Sequence, residues 1–295
     1  MAGIKELRGR IKSVGNIKQI TRAMEMVAST KLRRFQDRAV ASRPYAREIA
    51  GLVSRLAAEL GEEGIEARPL FQEGSGDRIA VLVVTSDRGL CGAYNSNVFR
   101  ELLRWRETLP VVDREQVAYQ VYGRKGYQWL HGRGREVDNF FVEPPLEKMD
   151  FAAAVRVAKV LTDGFLAGKY REVRVLYTAL ESMVKFVPTW LPLLPIRPQS
   201  LGAGESVEPS GDAILEPDAA TIFDSLVPRY LEIRIYNALL ESLTSEFASR
   251  RFSMKSATDA AGDMQKALRG VYNRKRQETI TKELLDIVGG AEALR

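Results

Sequence analysis

Hydrophobic residues open the chain at steps of three and four: Ile4, Leu7, Ile11, Val14, Ile17, Ile20, Met24 and Val27. Such spacing draws a stripe down a helix, close to a heptad seam. The first proline is Pro44. Proline inside a helix costs roughly 3 kcal/mol, so a kink or break is expected at Arg43–Pro44. "YAREIAGLVSRLAAEL" then resumes the pattern to Leu60, and residues 61–76 read as a loop. The far end mirrors the near one. Leu226, Tyr230, Ile233, Leu240, Phe247, Met254, Ala261 and Leu268 keep heptad spacing, broken by the polar Asn237, Thr244, Arg251, Thr258 and Gln265. From Arg229 to Val288 one continuous helix is predicted, about 90 Å long at about 1.5 Å per residue. A helix so long and polar needs a partner face, and the N-terminal helix is the nearest. The two ends are expected to form an antiparallel two-stranded coiled coil.

Between them the pattern alternates. "DRIAVLVVTS", "QVAYQVYG" and "REVDNFFVE" read as strands, separated by helices at "NSNVFRELLRWRETL" and "RKGYQWLHG". A third helix, "FAAAVRVAKVLTDGFLAG", precedes a hairpin-like pair, "YREVRVLYTALE" and "VKFVPTWLPLLPI". Strand and helix in alternation imply a mainly parallel sheet covered on both faces. The fold class is therefore α/β: a long antiparallel two-helix coiled coil from the N- and C-termini, plus an inserted, mainly parallel, Rossmann-like domain. Its divisions are a coiled-coil arm at 1–60, the α/β domain at 61–212 with a mobile linker at 197–212, and a second arm at 213–295 with a protruding tip at 271–295.

If Pro44 and Pro228 mark where the arms meet the inserted domain, paired positions total about 272 along the coil. Ala2 then faces Gly270, and the helix runs on to Val288, roughly 27 Å past its partner. Ile280, Leu284, Ile287 and Val288 lie on neighbouring faces of this overhang. An exposed apolar tip of that kind calls for an external sleeve.

Charge is partitioned. The net charge of +6 divides into +8 over residues 1–43, −5 over 44–244, +5 over 245–276 and −2 over 277–295. The basic runs "KLRR", "SRR" and "NRKRQ" have three readings: a solvated helix face, a nucleic-acid footprint, or a surface matched to an acidic protein. Aromatic residues near them are too sparse for a base-stacking platform. No run of about 18 apolar residues exists, so no membrane span is expected. The N-terminus has no apolar signal core. Cys91 is the single cysteine. An internal disulfide is thereby excluded, and a reduced, intracellular chain is expected.

"TSDRGLCGAYNSN" follows the first strand, at the place where open α/β sheets bind ligands. It carries neither a dinucleotide nor a phosphate-loop glycine pattern. Ser86, Asp87, Arg88, Gly89, Leu90, Cys91 and Gly92 are read as a structural or interface loop, with Gly89 and Gly92 permitting a tight turn. Cys91 is a packed residue and not a nucleophile, because the lone His131 lies elsewhere. No carboxylates stand at catalytic or metal-ligand spacing. No catalytic residue, metal or cofactor is assigned.

"IKSVGNIKQITRAMEMVASTKLRR", "SDRGLCGAYNSN" and "YNRKRQETITKELLDIVGGAEAL" resemble the gamma subunits of F-type ATP synthases. The likeness touches both ends and the middle, and is most specific at Ile280–Glu283 with Asp286, Gly290 and Ala291. Where that family usually reads "AMKAAT", this chain has "SMKSATDAA". The resemblance implies a non-catalytic rotor stalk of a proton-translocating enzyme, turning inside three alpha and three beta subunits. It implies an α/β domain seated on the c-subunit ring beside epsilon. It also implies a shaft whose basic face meets acidic beta-subunit loops. Rotor–stator coupling positions carry over to Met24, Arg250, Arg276, Gln277, Thr281 and Glu283, and the tip in the apical sleeve to Leu284, Ile287 and Val288. Met24 and Arg250, totalling 274, are expected to face each other. The cysteine pair of plant chloroplast forms is absent. The chain is expected to be peripheral on the cytoplasmic side of a bacterial plasma membrane, with no nucleic acid bound. Two rivals are a nucleic-acid-binding coiled coil and a nucleotide-binding enzyme using "SDRGLCG"; neither accounts for the overhanging tip.

Overall fold

The apolar run of the first strand, β1 (Arg78–Val84), is buried along almost its whole length and lies in the middle of a five-stranded sheet. A strand covered on both faces tolerates no polar alternation, which is why the sequence there is continuously apolar. The computed structural model describes residues 3–182, 185–197 and 216–292. Its contacts divide into two units, Lys31–Ser249 and Met1–Thr30 with Arg250–Arg295. The linker expected at 197–212 falls, beyond Arg197, outside the described residues.

In the Lys31–Ser249 unit, β1 leads to α2 (Tyr94–Thr108), a short α3 (Val111–Glu115), β2 (Val117–Tyr122), α4 (Arg124–His131) and β3 (Val137–Phe141). A single 3-10 turn at Leu146–Lys148 precedes α5 (Phe151–Leu166), β4 (Tyr170–Ser182) and β5 (Lys185–Leu194). The strand order is β3-β2-β1-β4-β5, parallel except for the antiparallel β4–β5 pair. The expected strands and helices are all present; α3 and the 3-10 turn are additions too short to show a period. On one face Val81, Val83, Val98, Leu102, Trp105 and Val121 form a continuous core. Stretches of two long helices, α1 (Ile4–Glu66) and α6 (Ala219–Glu292), complete this unit. Phe35 of α1 and Phe247 of α6 pack ring against ring at 5.2 Å. From Ala238 to Ser249, α6 is buried on nearly every side.

Both prolines lie inside helices and end neither. Helix α1 passes through Pro44 and α6 through Pro228. The break in α1 falls instead at Gly61 (φ 71°, ψ 173°), after which one further helical stretch reaches Glu66 where a loop was expected. Glycine enters that backbone region without the β-carbon penalty. Proline removes one amide donor to the carbonyl four residues before it. Around Pro44 that carbonyl belongs to the exposed Val40, where water can satisfy it.

The other unit pairs residues 3–30 of α1 with 250–292 of α6. Its rungs are Thr21 with Thr258 (hydroxyl oxygens 2.8 Å apart), Lys18 with Gly262, and Gly15 with Gln265. Paired numbers total 279 or 280 here, which corrects the expected 272 by two helical turns. The error came from treating the two prolines as level. Met24 is therefore level with Ser256, and Arg250 with Thr30. The two are offset by six residues, about 9 Å, and do not face each other squarely. The overhang begins near Gln277.

The seam also differs from the expected stripe. Beyond Val14 it runs through Lys18, Thr21, Glu25 and Ala28, while Ile17, Ile20 and Val27 are more than half exposed. Two consecutive steps of three, from Val14 to Ile17 to Ile20, rotate a helix face backwards by about 120° at 3.6 residues per turn. Opposite them Met254, Thr258, Ala261, Gln265 and Leu268 turn inward at heptad spacing. The seam is consequently small and polar.

Candidate functional site

The residues singled out in the sequence fall in both units: the loop after β1 is in one, and the positions carried over by resemblance lie along the helix pair of the other. In the loop, Asp87 accepts two backbone amides, Arg124 N on Oδ1 at 3.1 Å and Leu146 N on Oδ2 at 3.0 Å. Ser86 is fully buried. Its amide donates to Asn95 Oδ1 at 3.1 Å, its carbonyl accepts Lys125 N at 3.0 Å, and its hydroxyl donates to Arg88 O at 2.7 Å. Asn95 Nδ2 also reaches Ser86 Oγ and, at 3.3 Å, Cys91 Sγ. Cys91 is buried, and its carbonyl accepts Ser249 Oγ of α6 at 2.7 Å. The loop turns by way of Leu90 (φ 64°) and Gly92 (φ 57°). A leucine in the left-handed region costs about 1–3 kcal/mol and persists only where its surroundings impose it. Here hydrogen bonds on both sides do so, and Leu90 points outward, 60% exposed, beside the exposed Arg88 and Gly89.

In a doubly wound sheet, the crevice beyond the carboxyl ends of the strands is the usual ligand site. In this chain α6 fills that space. Ser242 Oγ lies 2.7 Å from Tyr94 Oη and accepts the amide of Thr178 at 3.2 Å, while Glu241 accepts that of Leu180 at 3.1 Å. Burial, then the nearby Glu246, hold the Tyr94 phenol far above its ordinary range. Burial, then Asp87, do the same for Tyr122. Ser242 and Ser249 carried no signal in the sequence beyond being small hydroxyl residues at heptad offsets in α6.

The basic face divides likewise. Lys31 is not a solvated charge: it pairs with Glu147 and sits over the Phe247 ring. Arg38 donates to Met149 O at 2.9 Å and Tyr236 Oη at 3.2 Å. In the helix pair, by contrast, Arg8, Lys12, Lys18, Arg22 and Arg269 line one groove of ≈ 530 Å³ with Asn16, Gln19 and Gln265. No carboxylate lines it. The five-cation groove was missed because its members come from two helices whose register sequence alone misplaced.

The positions carried over by resemblance are spread along this helix pair. Met24 is half-buried and Arg250 buried. Arg276, Gln277, Thr281 and Glu283 are exposed. Ile280, Leu284, Leu285, Ile287 and Val288 are all between 47% and 69% exposed, where α6 has outrun α1. Among the described residues no helix is long and apolar enough to cross a membrane. No group of three or more metal-ligating side chains occurs among them.

A sequence-family description of ATP synthase matches residues 3–294. The ATP synthase gamma chain of Dehalococcoides mccartyi (strain CBDB1) is 38% identical over 294 residues, with 100% of both chains covered. That of Mycobacterium tuberculosis (strain ATCC 25177 / H37Ra) is 39% identical over 306 residues, covering 99% of this chain and 98% of the relative. Among solved structures, a chain of the Euglena gracilis mitochondrial ATP synthase (OSCP/F1/c-ring, rotational state 3) superposes with a TM-score of 0.66 at 17% identity. It covers 99% of this chain and 94% of that one. A chain of the Tetrahymena thermophila mitochondrial ATP synthase central stalk and c-ring gives 0.59 at 22% identity, over 81% and 99%.

Proposed function

We propose that this chain, which belongs to the ATP synthase gamma-chain family and is a central-stalk subunit of an F-type ATP synthase, transmits torque between a membrane ring of c subunits and a catalytic ring of three alpha and three beta subunits. It carries no catalytic site of its own; the nucleotide chemistry is assigned to beta. What carries this reading is the overhang of α6, apolar residues exposed on a helix that has outrun its partner. Such a tip is stable in water only at a cost, and a surrounding sleeve of alpha and beta subunits removes it. The five-cation groove supports the same reading. Distributed positive charge on the helix pair suits acidic loops of beta, and screened attraction of this kind lacks one deep minimum that would stall a turning shaft. The crevice filled by α6 supports a non-catalytic role for the α/β unit.

Coupling contacts are assigned to Met24, Arg250, Arg276, Gln277, Thr281 and Glu283, and the sleeve contacts to Leu284, Ile287 and Val288. The α/β unit meets the c-ring and epsilon. The complex is placed at a bacterial plasma membrane, with this chain peripheral on the cytoplasmic side.

Native mass of the assembly formed on co-expression with the host's alpha and beta subunits tests the reading. A particle of three alpha, three beta and one copy of this chain is expected. Alpha and beta assembling without it at low salt would overturn the assignment and turn attention to nucleic acid.

A further inference from the structure

We propose that Asp87 is a joint that links the loop after β1 to both long helices, a role that rests on the torque-transmitting reading above. The loop "SDRGLCG" has the position of a ligand loop, yet its polar groups are spent on the chain itself. Asp87 accepts one amide on each oxygen, and these amides open two separate elements. Arg124 N is the first of α4, and Leu146 N the first of the 3-10 turn. From that turn two bonds reach α1: Glu147 pairs with Lys31, and Met149 O accepts Arg38 Nη2 at 2.9 Å. On the other side of Asp87, the Ser86–Arg88 hydrogen bond and Asn95 hold the loop closed, and Cys91 O accepts Ser249 Oγ of α6 at 2.7 Å. One carboxylate thus stands between a branch to α1 and a branch to α6.

The chemistry explains the residue type. Two amide donors converge from different elements, and an ionised carboxylate is acceptor-only on both oxygens. Charge-assisted bonds to backbone amides are shorter and stronger than neutral ones. An asparagine would turn an NH2 group toward one of the two amides and release either α4 or the 3-10 turn. Hydrophobic packing resists sliding and rotation poorly, because it is non-directional. Helix α6 has direct bonds to β4 through Ser242 and Glu241, and the Asp87 loop adds a directional hold that reaches α1 as well.

Asp87→Asn in the assembled complex tests this. Expected are normal incorporation, ATP hydrolysis by the detached alpha–beta–gamma particle close to wild type, and ATP-driven ion uptake into membrane vesicles reduced several-fold per ATP hydrolysed. Amide exchange should rise several-fold at whichever element is released, Arg124–Gly126 at the start of α4 or Leu146–Met149. Uptake per ATP equal to wild type, or hydrolysis and uptake falling in proportion, would overturn the joint. If Asp87→Asn does not assemble, Glu147→Gln combined with Ser249→Ala breaks one bond on each branch and leaves Asp87 in place. That double variant is expected to lower uptake per ATP as well, and wild-type coupling in it would overturn the proposal. Failure of the underlying reading looks different: the wild-type complex itself would lack this chain or hydrolyse ATP without ion uptake.

Discussion

Tyr94 and Ser242 meet hydroxyl to hydroxyl at 2.7 Å, joining the first residue of α2 to the buried stretch of α6. Ser242 Oγ also accepts the Thr178 amide, so one small side chain serves two buried polar groups. Ser245, three residues on, is fully buried with no hydrogen-bond partner among the described residues. The two serines should respond oppositely to alanine. Ser242→Ala strands a buried phenol and an amide and is expected to cost about 1–3 kcal/mol. Ser245→Ala removes an unpaired hydroxyl and is expected to be neutral or stabilising by up to about 1–2 kcal/mol. Urea unfolding of the isolated chain measures both.

Gly123 occupies φ 109°, and a β-carbon there would lie 2.1 Å from Thr85 O. That contact is with backbone, which cannot swing aside. Gly123→Ala is expected to cost upwards of about 3 kcal/mol, combining left-handed strain with displacement of β1's end. A drop in the urea midpoint of that size, or failure to fold, is the expected result. A midpoint within error of wild type would mean that the close approach of α4 to β1 is not a feature of the folded chain.

Much of this unit was legible in sequence because its elements announce themselves locally. Buried parallel strands are continuous apolar runs, as at Arg78–Val84, and their helices carry a 3.6-residue period. The coil was harder to read. Its seam uses Lys18, Thr21, Thr258 and Gln265, so hydrophobic periodicity pointed at Ile17, Ile20 and Val27, which are exposed. Register between distant helices depends on which side chains interlock, and Gly15 beneath Gln265 leaves no apolar trace. Asp87 reads from sequence as part of a structural or interface loop, but that its carboxylate binds amides 37 and 59 positions away follows only from the fold.

Alkaline stability provides a separate check. Burial, then Glu241, push the Tyr177 phenol from 10.0 to about 12. The unfolded chain loses this proton near pH 10 while the folded chain keeps it. The stabilisation is complete below about pH 10 and is lost as pH rises toward 12. Tyr94 and Tyr122 are raised by burial in the same direction. Unfolding free energy should therefore fall from pH 10 upward. Tyr177→Phe should make that fall shallower by up to about 2 kcal/mol, the exposed part of the ring reducing the figure.

The five-cation groove implies a trade between stability and assembly. Arg8 with Lys12, and Lys18 with Arg22, are like-charge neighbours one helical turn apart. Lys12→Gln with Arg22→Gln relieves both pairs and should stabilise the isolated chain by a few tenths of a kcal/mol to about 1 kcal/mol. The same variant should associate more slowly with alpha and beta and show a weaker dependence of that rate on salt. Thermal unfolding and stopped-flow assembly at two ionic strengths give the two numbers. An unchanged salt dependence would remove the groove from the interface.

Rotation is the central claim and can be watched directly. Cys91 is the only cysteine and is buried, so a cysteine placed at the exposed Val112 takes a single bead or gold probe. With alpha and beta fixed to a surface and ATP supplied, the probe is expected to turn in one direction in discrete steps. A probe that stays still, or jitters without direction, while the same particles hydrolyse ATP would contradict the assignment of this chain as the torque-carrying shaft.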